Sequence, residues 1–298
     1  MPGPDERAYR CYAKVNLILR VVRKRPDGYH DIDSLMQTVD LADTVTLRWG
    51  GPGLTVGCSE ASLGGESNLA WKAAKRFFEA TGIEGRVDIF VSKRIPVAAG
   101  LGGGSSDAAC VLNALASYHG ISPASGLVAA LALEVGSDVP YLLKGGPARV
   151  RGRGEIVEPA APAVRRLMGA LDLVAATPPV AVRSSWAYGQ LKMELTGAGE
   201  RDSILSLDSA IADRTNLAGA LRNDLEEAVA GGFPIVGSLK ARMMELGALG
   251  AVMSGSGPTV LAIVEGRAQA EQMAERLAAE GHRAFALRAT GSAHSACD

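Results

Sequence analysis

Between residues 9 and 22 the chain is rich in β-branched and aliphatic positions, with Lys14 and Asn16 set among them, and this pattern predicts a strand. Arg25, Pro26, Asp27 and Gly28 then supply turn chemistry, and short apolar runs at 45–47 and 54–56 extend a β-rich opening. Leu69, Ala73 and Phe77 repeat every four residues, which predicts a helix capped by Ser67 and stopped by a left-handed Gly82. Alternation over 86–92 predicts a further strand. After a glycine-rich loop, 105–118 and 124–135 read as helices, and strands are predicted near 141–143 and 148–150.

Proline and alanine dominate residues 158–162, which divides the chain into a first part, 1–160, and a second, 161–298. The second part predicts a strand at 171–175, several helices to about 246, strands at 248–253 and 259–264, a helix at 268–280 and a strand at 283–287. With its early helices taken as one layer, the order is β-α-β-β-α-β, a ferredoxin-like arrangement. The expected fold class is therefore α+β, a β-rich first domain followed by this split pattern with extra helices. Residues 196–200 and the tail after Gly291 read as loose.

Composition narrows the function. Thirty-one basic side chains stand against 32 acidic ones, a net charge of −1, so no excess charge is offered to nucleic acid or an anionic membrane. No apolar run reaches the roughly 18 residues of a membrane span, and the opening residues lack a signal peptide's order of charge and apolarity. Cys11, Cys58, Cys110 and Cys297 are too scattered for a zinc site or a disulfide framework, which suits a reduced, cytoplasmic protein. Glycine accounts for 36 of 298 residues, well above the roughly 7% of average usage. That excess directs attention to turns where backbone approaches a ligand.

Pro96-Val97-Ala98-Ala99-Gly100-Leu101-Gly102-Gly103-Gly104-Ser105-Ser106-Asp107 joins a predicted strand to a predicted helix. Glycines let backbone N–H groups turn toward a phosphate, the helix start adds unpaired donors and a positive dipole end, and the serines add hydroxyls. The loop differs from the Walker loop, because no Lys-Ser or Lys-Thr follows its last glycine. Three other segments are weaker signals taken singly. Lys14 and Asn16 are polar groups within an apolar strand, where an exposed strand lysine is the simpler reading. Asp138, in Gly136-Ser137-Asp138-Val139-Pro140, resembles an ordinary turn former. Ser254-Gly255-Ser256-Gly257-Pro258 reads as a hairpin turn or as close backbone approach to a ligand.

Together these four segments, in this order, resemble the GHMP family of small-molecule kinases over nearly the whole chain. Arg25-Pro26-Asp27-Gly28-Tyr29-His30 is further similar to the branch of that family whose substrate is a cytidine-diphosphate-linked methylerythritol. The resemblance implies ATP with Mg2+ and transfer of the γ-phosphoryl to the 2-hydroxyl of that substrate, in the non-mevalonate isoprenoid pathway, within a cleft between two domains. It implies Asp138 as general base with Lys14 beside it, Asn16 on the erythritol portion, and Tyr29 and His30 on the cytosine. Phosphates would lie against Pro96, Gly100, Leu101, Gly102, Gly103, Gly104, Ser105 and Ser106, with Asn68 and Lys93 at the adenine. Gly255, Ser256 and Gly257 would approach the substrate, and Trp186 or Tyr188 would add a second ring on the cytosine. No acidic pair reads as a metal cage, so magnesium is expected on ATP's phosphates, touched by Ser105 or Ser106. A small-molecule substrate is expected, with no nucleic acid, membrane or obligate protein partner. A homoserine- or mevalonate-type member would leave residues 26–30 without a reason, and a binding module without catalysis would have no need of Asp138 and Lys14.

Overall fold

The computed structural model describes residues 5–191 and 211–297; the expectation for 196–200 lies outside them. Two long strands, β1 (Glu6–Lys24) and β2 (His30–Trp49), form an antiparallel hairpin that forms the spine of the first part. The short apolar runs near residue 45 thus belong to one 20-residue strand, bent by irregularities in register. Next come β3 (Leu54–Cys58), α1 (Leu69–Thr81), β4 (Val87–Ser92), α2 (Gly103–Tyr118) and α3 (Gly126–Val135). β3 pairs in parallel with β4, and β4 lies antiparallel to β2. The cap of α1 is Asn68 rather than Ser67, its side chain accepting from the Ala70 N–H at 2.8 Å, and Gly82 ends the helix in the left-handed conformation.

The strand expected at 141–143 is instead a short helix, α4 (Val139–Leu142). Pro140 is preset for a first helical turn, and the buried Tyr141 ring is anchored by its hydroxyl, which donates to Gly146 O at 2.6 Å. β5 (Ala148–Gly152) pairs with β2, and β6 (Ile156–Pro159) pairs with β5.

The second part opens with α5 (Pro162–Gly169) and β7 (Asp172–Thr177), then α6 (Ser184–Gly189), α7 (Arg214–Ala220), β8 (Arg222–Asn223), α8 (Glu226–Gly232) and α9 (Pro234–Glu245). The strands β9 (Gly250–Met253) and β10 (Val260–Ile263) form a hairpin, followed by α10 (Arg267–Ala279) and β11 (Arg283–Thr290). The order β11-β7-β10-β9, antiparallel throughout, is that of a split β-α-β sheet. The tail, read as loose from sequence, forms β12 (His294–Ala296) on the edge of β1.

Three apolar cores hold these layers. One fills the space between the first sheet and α1 to α4, around Phe77, Leu112, Leu115 and Tyr141. A second joins the two parts, packing Val15, Leu17, Leu35 and Leu101 with Leu173, Val252, Leu261 and Leu287. The third lies under α8, α9 and α10. The middle core matters most for the site, because it sets the glycine-rich loop against the β9–β10 hairpin in dry, closely packed surroundings.

Candidate active site

A cleft of about 1300 Å³ runs between the two parts of the chain. Its walls include Lys14, Asn16, Tyr29, His30, Asn68, Lys93, the loop from Pro96 to Ser105, Asp138, Tyr188, Gly255 and Ser256. Most of the residues singled out from sequence therefore share one cavity, although they come from β1, β2, several loops and α6.

Lys14 is buried in β1, and its ammonium reaches two partners. It donates to Asn16 Oδ1 at 2.7 Å and lies 3.4 Å from Asp138 Oδ2. Asp138 occupies the cap position of α4 but spends no side-chain hydrogen bond there, so its carboxylate remains available to the cleft. Asn16 is held on the other side by Ser34, to whose hydroxyl its amide donates at 2.8 Å. A lysine inside an apolar strand needs such compensation, and here the partners also aim it at the carboxylate.

The glycine loop is tied down at both ends. Lys14 N–H donates to Leu101 O at 2.9 Å, and Ser254 Oγ donates to Gly100 O at 3.1 Å. Gly100 has φ +77°, and a Cβ there would lie 2.1 Å from Ser254 O. No side chain fits that approach. Gly100→Ala is expected to cost about 3 kcal/mol or more through strain and overlap, and to raise the KM for ATP. Urea unfolding together with initial rates checks both effects; a variant as stable as the parent would mean that the two loops are free to separate.

α2 begins immediately after this loop, so its first N–H groups and its positive end face the cleft. Ser105 lines the cavity. Ser106 does not: its hydroxyl is buried and donates to Tyr12 O at 2.7 Å, which binds the helix to β1 and removes it from the expected phosphate contacts. Asn68 lines the cavity, but both ends of its amide are occupied, one capping α1 and the other donating to Leu63 O at 2.7 Å.

Lys93 ends in a buried charge cluster. Its ammonium pairs with Asp43 and lies 3.0 Å from Asp107 Oδ2, with all three side chains at most 6% exposed. Asp43 Oδ1 also accepts from the N–H groups of Arg94 and Ile95 at 2.6 and 2.8 Å. Asp107 Oδ1 is buried with no partner, and the residue belongs to the cleft wall. Burial pushes the Asp107 carboxyl up; Lys93 opposes this, Asp43 reinforces it, and the outcome is about 7. Burial pulls the Lys93 ammonium down, but Asp107 and Asp43 outweigh it and the net direction is upward. Neither Asp43 nor Asp107 was assigned a role from sequence, although Asp107 stands in the glycine motif itself.

At the other end of the cleft, His30 stacks on Tyr188, with ring centroids 5.0 Å apart and planes 28° from parallel. Burial, then the nearby Lys24, holds the His30 imidazole below its ordinary range, so at neutral pH it is uncharged and offers one donor and one acceptor. Tyr29 is about half exposed, with the Arg153 guanidinium over its ring. Trp186 turns away from the cleft and meets Phe233 edge-on at 5.0 Å. Residues two apart on α6 face different sides, and of the two candidates only Tyr188 belongs to the cavity.

Gly255 and Ser256 reach the cavity, whereas Gly257 is absent from its wall and folds back, donating from its N–H to Ser254 O at 2.9 Å. Asn223, which sequence reasoning did not single out, shapes this loop by donating to Met253 O and Gly255 O, both at 2.7 Å. Only a buried polar residue on a two-residue strand marks it. Among the described residues no three His, Cys, Asp or Glu side chains cluster as metal ligands, and no helix is long and apolar enough to cross a membrane.

Comparison with known proteins gives the family and the fold. The profile of the GHMP kinases N terminal domain matches residues 68–146, and that of the GHMP kinases C terminal matches residues 208–283. A 4-diphosphocytidyl-2-C-methyl-D-erythritol kinase of Gloeobacter violaceus is 40% identical over 276 residues, 91% of this chain and 90% of that one. The enzyme of the same name from Symbiobacterium thermophilum is 40% identical over 93% of this chain and 98% of its own. Among solved structures, a 4-(cytidine 5'-diphospho)-2C-methyl-D-erythritol kinase superposes with a TM-score of 0.77 at 36% identity, covering 96% of this chain and 100% of that one. A homoserine kinase from Cytophaga hutchinsonii shares the fold, with a TM-score of 0.73 at 19% identity over 98% of both chains.

Proposed function

The chain belongs to the GHMP kinases, in the branch of the 4-diphosphocytidyl-2-C-methyl-D-erythritol kinases, and from that premise we propose that it transfers the γ-phosphoryl of ATP to the 2-hydroxyl of 4-diphosphocytidyl-2-C-methyl-D-erythritol. The observation that carries this reading is a single cleft lined at once by the glycine loop, by the Lys14–Asp138 pair, and by Tyr29, His30 and Tyr188.

In this reading Asp138 accepts the proton of the attacking hydroxyl as its oxygen bonds to phosphorus and the bond to the ADP oxygen breaks. Lys14, steered by Asn16, offsets charge on the transferring group. The loop from Pro96 to Ser105 holds the phosphates with backbone N–H groups at the start of α2. Among the described residues no three potential ligands cluster, and the Asp43 and Asp107 carboxylates are taken up by Lys93, so magnesium would be carried on ATP's phosphates with the Ser105 hydroxyl as the protein's contact, neutralising charge there. A neutral His30 matches the mixed donor and acceptor edge of cytosine, and Tyr29 and Tyr188 offer aromatic faces. The division at residue 160 into an ATP-binding, catalytic part and a C-terminal part, and a cytoplasmic location, belong to the same proposal.

A coupled assay offering ATP and Mg2+ with the cytidyl substrate, and in parallel with homoserine and mevalonate, tests it. Turnover confined to the cytidyl substrate is expected. Preference for either other alcohol would reassign the aromatic end of the cleft, and binding without transfer would make the chain a ligand-binding module.

A further inference from the structure

The turn between β5 and β6 reaches the active-site cleft from outside every segment that drew attention in the sequence. Gly154 lies so close to the Ser137 carbonyl that a Cβ would be 2.0 Å from its oxygen, so this turn is packed backbone to backbone against the loop carrying Asp138. Arg153 projects from the turn. One of its terminal nitrogens donates to Leu133 O at 2.7 Å, its backbone N–H donates to Glu155 Oε2 at 2.6 Å, and its guanidinium carbon lies 4.3 Å from the centroid of the Tyr29 ring. Its Nε is buried without a partner.

Tyr29 has no such anchorage of its own. It stands on the β1–β2 turn, about half exposed, held through its backbone by Arg25 and Asp27. A half-exposed ring on a hairpin turn loses rotamer freedom when it stacks on a ligand, and that entropy counts against binding. A fixed cation over one face removes part of that cost in advance.

We propose that Arg153 is a positioning residue for substrate recognition, clamping one face of Tyr29 so that the other is presented to the pyrimidine in register with the Asp138 loop. The inference rests on the reading of Tyr29 as a base-stacking residue and adds to it a side chain from another element. Leu133 O and the turn packed on the Asp138 loop hold the guanidinium in place. Lysine cannot replace it fully, since its ammonium is a compact, strongly hydrated charge on a flexible stem.

The test is steady-state kinetics of the full chain with ATP, Mg2+ and the cytidyl substrate, for Arg153→Ala, Arg153→Lys, Tyr29→Ala and the double alanine variant. Arg153→Ala is expected to raise the KM for the cytidyl substrate by about 5- to 10-fold, with kcat and the KM for ATP changed less than about 2-fold. Arg153→Lys recovers part of this, and the double variant is no worse than Tyr29→Ala alone. If Tyr29→Ala raises that KM while Arg153→Ala and Arg153→Lys leave it at the parental value, the clamp is overturned and the pocket stands. If the arginine effect persists undiminished in the Tyr29→Ala background, Arg153 meets the substrate directly and the clamp is again overturned. If Tyr29→Ala changes nothing, the cytosine reading fails and the inference falls with it. Should Arg153→Ala not fold, the lysine variant, with its thermal midpoint, carries the comparison.

Discussion

Asp138→Asn is expected to lower turnover by about 10²–10⁴-fold while leaving the affinities for ATP and the cytidyl substrate nearly unchanged. The amide keeps the size and much of the hydrogen bonding of the carboxylate but cannot accept the hydroxyl proton. Its only ion-pair partner among the described residues is Lys14 at 3.4 Å, and it caps no helix with its side chain, so the substitution does little to the fold. A loss felt only in the transition state lowers the rate without removing ground-state contacts. Lys14→Met should also impair turnover. The double variant should lose less than the two penalties added together, because the pair acts as one unit. Rates measured at saturation, with binding followed by calorimetry, decide the matter. Full activity of Asp138→Asn would show that another group or positioning alone activates the hydroxyl.

The largest effect on stability is expected from Lys93→Met, which should destabilise the protein by about 3–5 kcal/mol at neutral pH. Methionine fills similar space but leaves Asp43 and Asp107 facing each other in a dry pocket, with their shared cation gone. The dependence on pH has a definite sign. In the parent the folded-state value of Asp107 is raised to about 7 against an ordinary 3.8, so between these values the folded state binds more protons than the unfolded one. Stability therefore falls as pH rises from about 4 through 7. In Lys93→Met the fall should extend to higher pH, because the group that opposed the upward shift is missing. Asp107→Asn should remove it. Urea midpoints at pH 5 and 8 for the three proteins provide the check; identical parental midpoints at both values would mean that Asp107 titrates normally. The same cluster lies beneath the start of α2, so Lys93 acts as structural support for the glycine loop, and its ammonium is already committed.

Much of the candidate site was legible in the chain itself. A strand, a glycine run and two serines leading into an apolar helix describe an anion cradle, because backbone N–H groups and a helix end need no distant partner to create it. Lys14 and Asn16 stood out as polar groups in an apolar strand, and Asp138 as an acid at a turn. The β-α-β-β-α-β order followed from local periodicity, which reflects which face of each element is buried. Local pattern misled where a local preference had a competitor. Residues 141–143 look like a strand, yet Pro140 and the buried Tyr141 make them helical. Ser67 looks like a cap, yet Asn68 reaches the helix N–H.

Tertiary structure alone decided which side chains meet. No spacing brings Lys14 to Asp138, or turns Tyr188 into the cleft and Trp186 onto Phe233. The two serines after the glycines are equivalent as letters, but one faces the cavity and the other is bound to Tyr12 O, because a helix rotates successive residues by about 100°. The Asp43–Lys93–Asp107 cluster and the Arg153 clamp join segments far apart in the chain, and a buried charge or a stacked cation carries no local signature. Hydrophobic periodicity is encoded residue by residue and so can be read from one strand or helix. Pairing between side chains depends on how the layers pack, a property of the whole fold.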